Sequence, residues 1–270
     1  MGHGGGFAHR HGIIEVMAAP LPAPAPLRLY SFAAPSRFYA LTGALLPWLW
    51  LATVALMLWG LYLGFFVAPT DATQGQSYRI IFIHVPAAWM AMMLYLVMAF
   101  WAVIGWAFNA RLASMVARAI APTGALMAFL ALWTGAFWGR PTWGTWWVWD
   151  ARLTSTLILL FLYLGYMALV SAIDDVRRGD KAGALLALVG SVNVPIIYFS
   201  VRWWNTLHQG ATIDVGTAPK MAQPMLVAML VMTIAFWLYA FAVVFTRSRA
   251  IVLEREAGAA WVQATLKGAP

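Results

Sequence analysis

The stretch Met221–Phe245, MAQPMLVAMLVMTIAFWLYAFAVVF, holds 25 residues without a charge. A bilayer core roughly 30 Å thick needs about 20 apolar residues in a helix, so this run is long enough to span one. Five further uncharged runs repeat the pattern: Leu41 to Val67, Ile80 to Phe108, Ala119 to Gly139, Leu153 to Ile173 and Ala182 to Val201. Six such runs have no amphipathic partners to cover them in water, and in lipid only a helix satisfies its own backbone. The expected fold is all-α: a polytopic membrane protein of six transmembrane helices. The composition agrees, with 63% hydrophobic and 10% charged residues.

Domain boundaries follow from the same runs. Residues 1–36, rich in Gly and then Pro, read as a disordered tail without the apolar core of a cleavable signal. Residues 37–245 form the six-helix region, and 246–270 a C-terminal tail. Lys and Arg alternate in density from loop to loop. Twelve of seventeen fall in the two tails and the second and fourth loops, against five in the first, third and fifth. That bias places both termini in the cytoplasm, and it accounts for the net charge of +8 without nucleic acid.

The third loop, which this orientation turns outward, carries the chemistry. From Trp138 to Trp149 the chain places five of its sixteen tryptophans, and then Asp150 and Arg152. Interfacial belts use tryptophan, but five in twelve positions, with Gly139 and Gly144 allowing close backbone approach, exceed what anchoring needs. Pro141 can open a helical turn. Trp143, Trp146 and Trp147 then share one face at spacings of three and four, so a short interfacial helix is expected, with Trp149 pointing elsewhere.

Outside the tail, where His3, His9 and His11 lie, the chain has two histidines. His84 sits about a turn inside the outer end of the second span, in RIIFIHVPAAW, and His208 in the last outer loop, in RWWNTLHQGAT. One buried histidine satisfied by a carbonyl or hydroxyl is an ordinary feature; two on the side of the tryptophan loop suggest a ligand. Two imidazoles and a wall of indoles suit haem, with an imidazole on each axial position of the iron. Zinc suits them less, lacking a third ligand, and the absence of cysteine excludes a thioether link to this chain. Arg79 and Arg152 are placed to meet propionates.

The run WGTWWVWDARLTS, residues 143–155, resembles the tryptophan-rich WWD signature of the haem-handling membrane proteins of cytochrome c maturation. With six spans and one histidine in each flanking outer segment, the chain is similar to the CcmC family within that group, from about Ser36 to Phe245. The resemblance implies a protein that holds haem b at the periplasmic face and presents it to the haem chaperone CcmE. It makes His84 and His208 the axial ligands, and Trp143, Trp146, Trp147, Trp149 and Asp150 a platform shared by haem and chaperone. It further implies the ABC transporter subunits CcmA and CcmB and the small membrane protein CcmD as partners. No Walker A motif occurs, so any ATP use belongs to a partner. No nucleophile or acid–base pair stands out, so the chain's contribution would be positioning. Two rival readings remain: a permease, for which Asn193 and Pro195 could break the fifth span, and a cytochrome b electron carrier, which would need histidines at a second depth.

Overall fold

A computed structural model describes residues 34–208 and 221–268. Helix α1 covers Pro35–Tyr62 and ends in a wide turn at Leu63–Val67. A tight turn, Gln76–Ile80, leads into α2, Ile81–Ala107. Then come α3, Arg111–Trp143, α4, Ala151–Ala172, α5, Val176–Gly190, and α6, Asn193–Trp203. Helix α7 covers Gln223–Arg255 and the short α8 Ala260–Leu266. Six segments are long and apolar enough to cross a membrane, as the six uncharged runs require, with α5 and α6 together making the fifth.

Helices α2 and α3 form the centre, packed along each other, while α1 lies on α7 at the periphery and α4 joins α3 to α5 and α6. The α3 face is lined with small residues such as Ala117, Ala121, Ala125 and Ala128, all buried. In lipid, where the solvent is as apolar as the side chains, helices associate by such close backbone approach. Gly124 marks the tightest point: a Cβ there would stand 2.1 Å from the ring of Tyr163 of α4. The Tyr163 hydroxyl crosses the centre and donates to the Ala91 carbonyl of α2 at 2.8 Å.

The fifth span breaks at Ser191 and Val192, between α5 and α6. Pro195 has no N–H to return to the Ser191 carbonyl, so the hydrogen-bond ladder is weakened where the helix breaks. The Asn193 amide secures the break by donating to the Ser155 carbonyl of α4 at 2.8 Å.

Two expectations are revised. The third span does not stop near Gly139 and restart as a separate interfacial helix at Pro141. Helix α3 runs on to Trp143, Gly144 terminates it in a left-handed conformation (φ 77°), and residues 144–150 are non-helical. Proline can be accommodated in the last turn, whereas only glycine readily takes the left-handed cap that follows. The last span likewise runs past Phe245, to Arg255. Beyond it α8 buries Val262 and sets Trp261 5.7 Å from Tyr39. The N-terminal tail falls outside the described residues up to position 33.

Candidate functional site

His84 projects from the first turn of α2 and is buried. Its Nδ1 lies 3.0 Å from Oγ1 of Thr134 on α3. That hydroxyl already donates its only proton to the Leu130 carbonyl at 2.6 Å, so toward the imidazole it accepts. The bond therefore runs from Nδ1–H to Thr134 and leaves the Nε2 lone pair available. Gly135 allows the ring to sit against α3, since a Cβ there would be 3.1 Å from Cε1.

His208 follows the end of α6, and its ring lies 6.2 Å from that of His84, tilted by 32°. Trp143, on the last turn of α3, stands 6.1 Å from His208. Trp138 meets His84 edge-on at 5.5 Å and donates its Nε1–H to Gln74 Oε1 at 2.7 Å, tying the first outer loop to α3. These side chains line a narrow cavity of about 50 Å³ together with Arg152, Thr156 and Ile197. The walls are otherwise apolar, from Ala88, Met92, Leu132 and Leu159 among others.

Arg152, in the first turn of α4, is the cation of this cavity. Among the described residues it makes one long hydrogen bond, to the Ile197 carbonyl at 3.4 Å, which leaves most of its five-donor fork to an anion. Asp150 and Arg152 form no ion pair with each other. Asp150 Oδ1 instead caps α4 by accepting from the Leu153 N–H at 2.8 Å. Among the described residues, Asp150 Oδ2 and Trp147 Nε1 are buried without a hydrogen-bond partner.

The nine residues expected to form the site thus divide. His84, His208, Trp143 and Arg152 converge on one cavity. Trp146 packs on Phe137 and Trp149 on Trp147, and both Trp146 and Trp149 are mostly exposed, at 52% and 76%. Arg79 turns away, donating to the Gly64 carbonyl at 2.6 Å. Sequence reading missed Thr134 and the contact made by Trp138. Both lie on α3 with Gly135, within one turn of each other, and no sequence spacing ties them to His84 on α2. Among the described residues no group of three or more His, Cys, Asp or Glu side chains could hold a metal ion, which leaves the histidine pair as the only such donors at this cavity.

Comparison with known proteins gives the family. Residues 28–263 match the family model CcmC, Heme exporter protein C. The chain is 46% identical over 235 residues to Heme exporter protein C of Escherichia coli K12, covering 87% of this chain and 94% of the relative. It is 50% identical over 212 residues to that of Bradyrhizobium diazoefficiens, covering 78% and 80%. It is 44% identical over 236 residues to that of Haemophilus influenzae, covering 87% and 96%. A multi-pass helical membrane chain with paired histidines in an indole-walled cleft, matched over nearly its whole length, belongs to the heme exporter protein C family.

Proposed function

We propose that this protein acts in cytochrome c maturation by holding haem b between His84 and His208 at the periplasmic face of the inner membrane, and by presenting it to the chaperone CcmE. The observation that carries the reading is the convergence of the two described histidines on one indole-walled cavity, their rings 6.2 Å apart. Thr134 supports it by presenting Nε2 of His84, and Arg152 by offering a propionate its unused donors.

Haem is cargo here, and the residues' work is to bind and orient it. The cavity of about 50 Å³ is too narrow for a macrocycle. Loading therefore displaces the Trp143 indole and the His208 segment, both of which lie at helix ends rather than within them. Once the rings part, His84 stays fixed on α2 and α3 while His208 follows the haem. Trp146 and Trp149, exposed beside the cleft, are left to face the chaperone. The nucleophile that forms the covalent bond belongs to CcmE, and the partners CcmA, CcmB and CcmD handle the steps before and after.

The test is haem content and visible absorption of the purified protein after His84→Ala or His208→Ala. Either substitution is expected to lower retained haem at least tenfold; unchanged content and spectrum in both variants overturn the ligand assignment. The break at Ser191 and Val192 favours a second reading, in which haem passes through the bundle. Haem uptake into sealed vesicles lacking the chaperone would support that reading, and no uptake is expected under the first.

A further inference from the structure

At the end of the bundle remote from His84, two cavities adjoin. One, of about 690 Å³, lies between α2, α3 and α7 and is walled almost wholly by apolar side chains, among them Val97, Trp101, Ile104, Val116, Trp237 and Phe241. Its size falls within the roughly 300–1,000 Å³ of small-molecule sites. The other, of about 160 Å³, is polar and is lined by Arg111, Arg177 and Lys181 with Asp180, Asn109 and Ser114. Arg111 lines both, so its side chain stands between the apolar groove and the cationic pocket.

The charges of the small pocket are unequal. Its only carboxylate, Asp180, is held by both arms of Arg255 at 2.7 and 2.8 Å. Arg111 makes a single contact with Glu256, Nη1 to Oε1 at 3.1 Å, and stays 67% exposed. Arg177 and Lys181, one helical turn apart on α5, form no ion pair with a described residue. Three cations thus face a space whose acid is already committed, beside a groove that water would fill only at a cost. The occupant must have an anionic head and an apolar body, at the depth of a membrane boundary.

We propose that this double cavity is a binding site for one anionic phospholipid of the leaflet at this end of the bundle, with an acyl chain between α2, α3 and α7 and the phosphate on Arg111, Arg177 and Lys181. Charge complementarity selects the head: a zwitterionic lipid would bring its own cation among three others. The site wedges together helices that the haem cleft uses at their opposite ends, so the lipid acts as a fixed part of the bundle.

The full-length protein in mild detergent, mixed with dioleoylphosphatidylglycerol or dioleoylphosphatidylcholine and observed by native mass spectrometry, tests this. A one-to-one adduct is expected with the glycerol lipid, retained at least tenfold better than the choline lipid. The double variant Arg177→Gln, Lys181→Gln, altered only at exposed positions, should lose that preference, and Val97→Phe should lose the adduct by filling the groove. Equal retention of both lipids, or an undiminished preference in the double variant, overturns the proposal. So does a thermal shift from inorganic phosphate alone that equals the shift from the glycerol lipid.

Discussion

Thr134 is a small residue with a large influence, because its one proton is spent on its own helix. The Leu130 carbonyl takes that proton, and the oxygen can then only accept from His84. Thr134→Val keeps the shape and removes the acceptor that lies 3.0 Å from Nδ1, a loss of about 1–3 kcal/mol. Haem affinity should fall about 10- to 100-fold, as for other partners that orient metal-binding histidines. Thr134→Ser should restore most of it; equal affinity in the valine and serine variants would dismiss the orienting role. The tryptophans separate in the same manner. Trp143→Ala should lower haem retention, because its ring meets His208, whereas Trp149→Ala should leave retention unchanged and weaken capture by the chaperone. Pull-down of CcmE and haem absorbance, measured on both variants, check the split.

Helix ends decide where those residues fall. Gly144 closes α3 with its N–H on the Arg140 carbonyl at 3.1 Å and its own carbonyl on the Arg140 side chain at 2.6 Å. Gly144→Ala meets no neighbour, yet it forces an L-residue into the left-handed region at about 1–2 kcal/mol. The melting temperature should drop by a few degrees, with haem retention falling as Trp143 loses its place. Packing between elements is less forgiving. Gly124→Val would drive α3 off Tyr163, and in the crowded centre such overpacking costs about 1–3 kcal/mol. Tyr163→Phe removes only the hydrogen bond to Ala91, worth about 0.6 kcal/mol between membrane helices. Thermal unfolding in detergent should therefore rank Gly124→Val well below Tyr163→Phe.

For the molecule as a whole, the two ends differ in kind. The end with His84, Trp143, Arg152 and His208 carries indoles and a histidine pair, and the opposite end carries Arg111, Arg177, Lys181 and Arg255. The distribution of cations predicts that the first end faces the periplasm. The absence of cysteine makes this directly measurable. In intact cells, a membrane-impermeant maleimide should label Trp149→Cys, and it should label Arg178→Cys only after the membrane is opened. The reverse pattern would invert the topology and remove the haem cleft from the reach of a periplasmic chaperone.

Hydropathy alone located all six spans, because a segment in lipid must satisfy its backbone within itself and its length is set by the bilayer. The two histidines stood out for a related reason, since ionisable rings are rare in and beside a membrane span and no other histidine lies outside the tail; that both line one cavity is a result of packing. The break of the fifth span was also readable, since Pro195 acts on its own helix. The order of the tryptophan loop was not. Spacing of three and four places indoles on one face only if a helix exists, and Gly144 ends the helix before Trp146. Nor could sequence place Thr134 against His84, 50 residues away, or Gln74 against Trp138, 64 residues away. Spans and their chemistry are properties of local sequence; the cleft is made by α2 and α3 packing closely enough that side chains distant in the chain must share their hydrogen bonds.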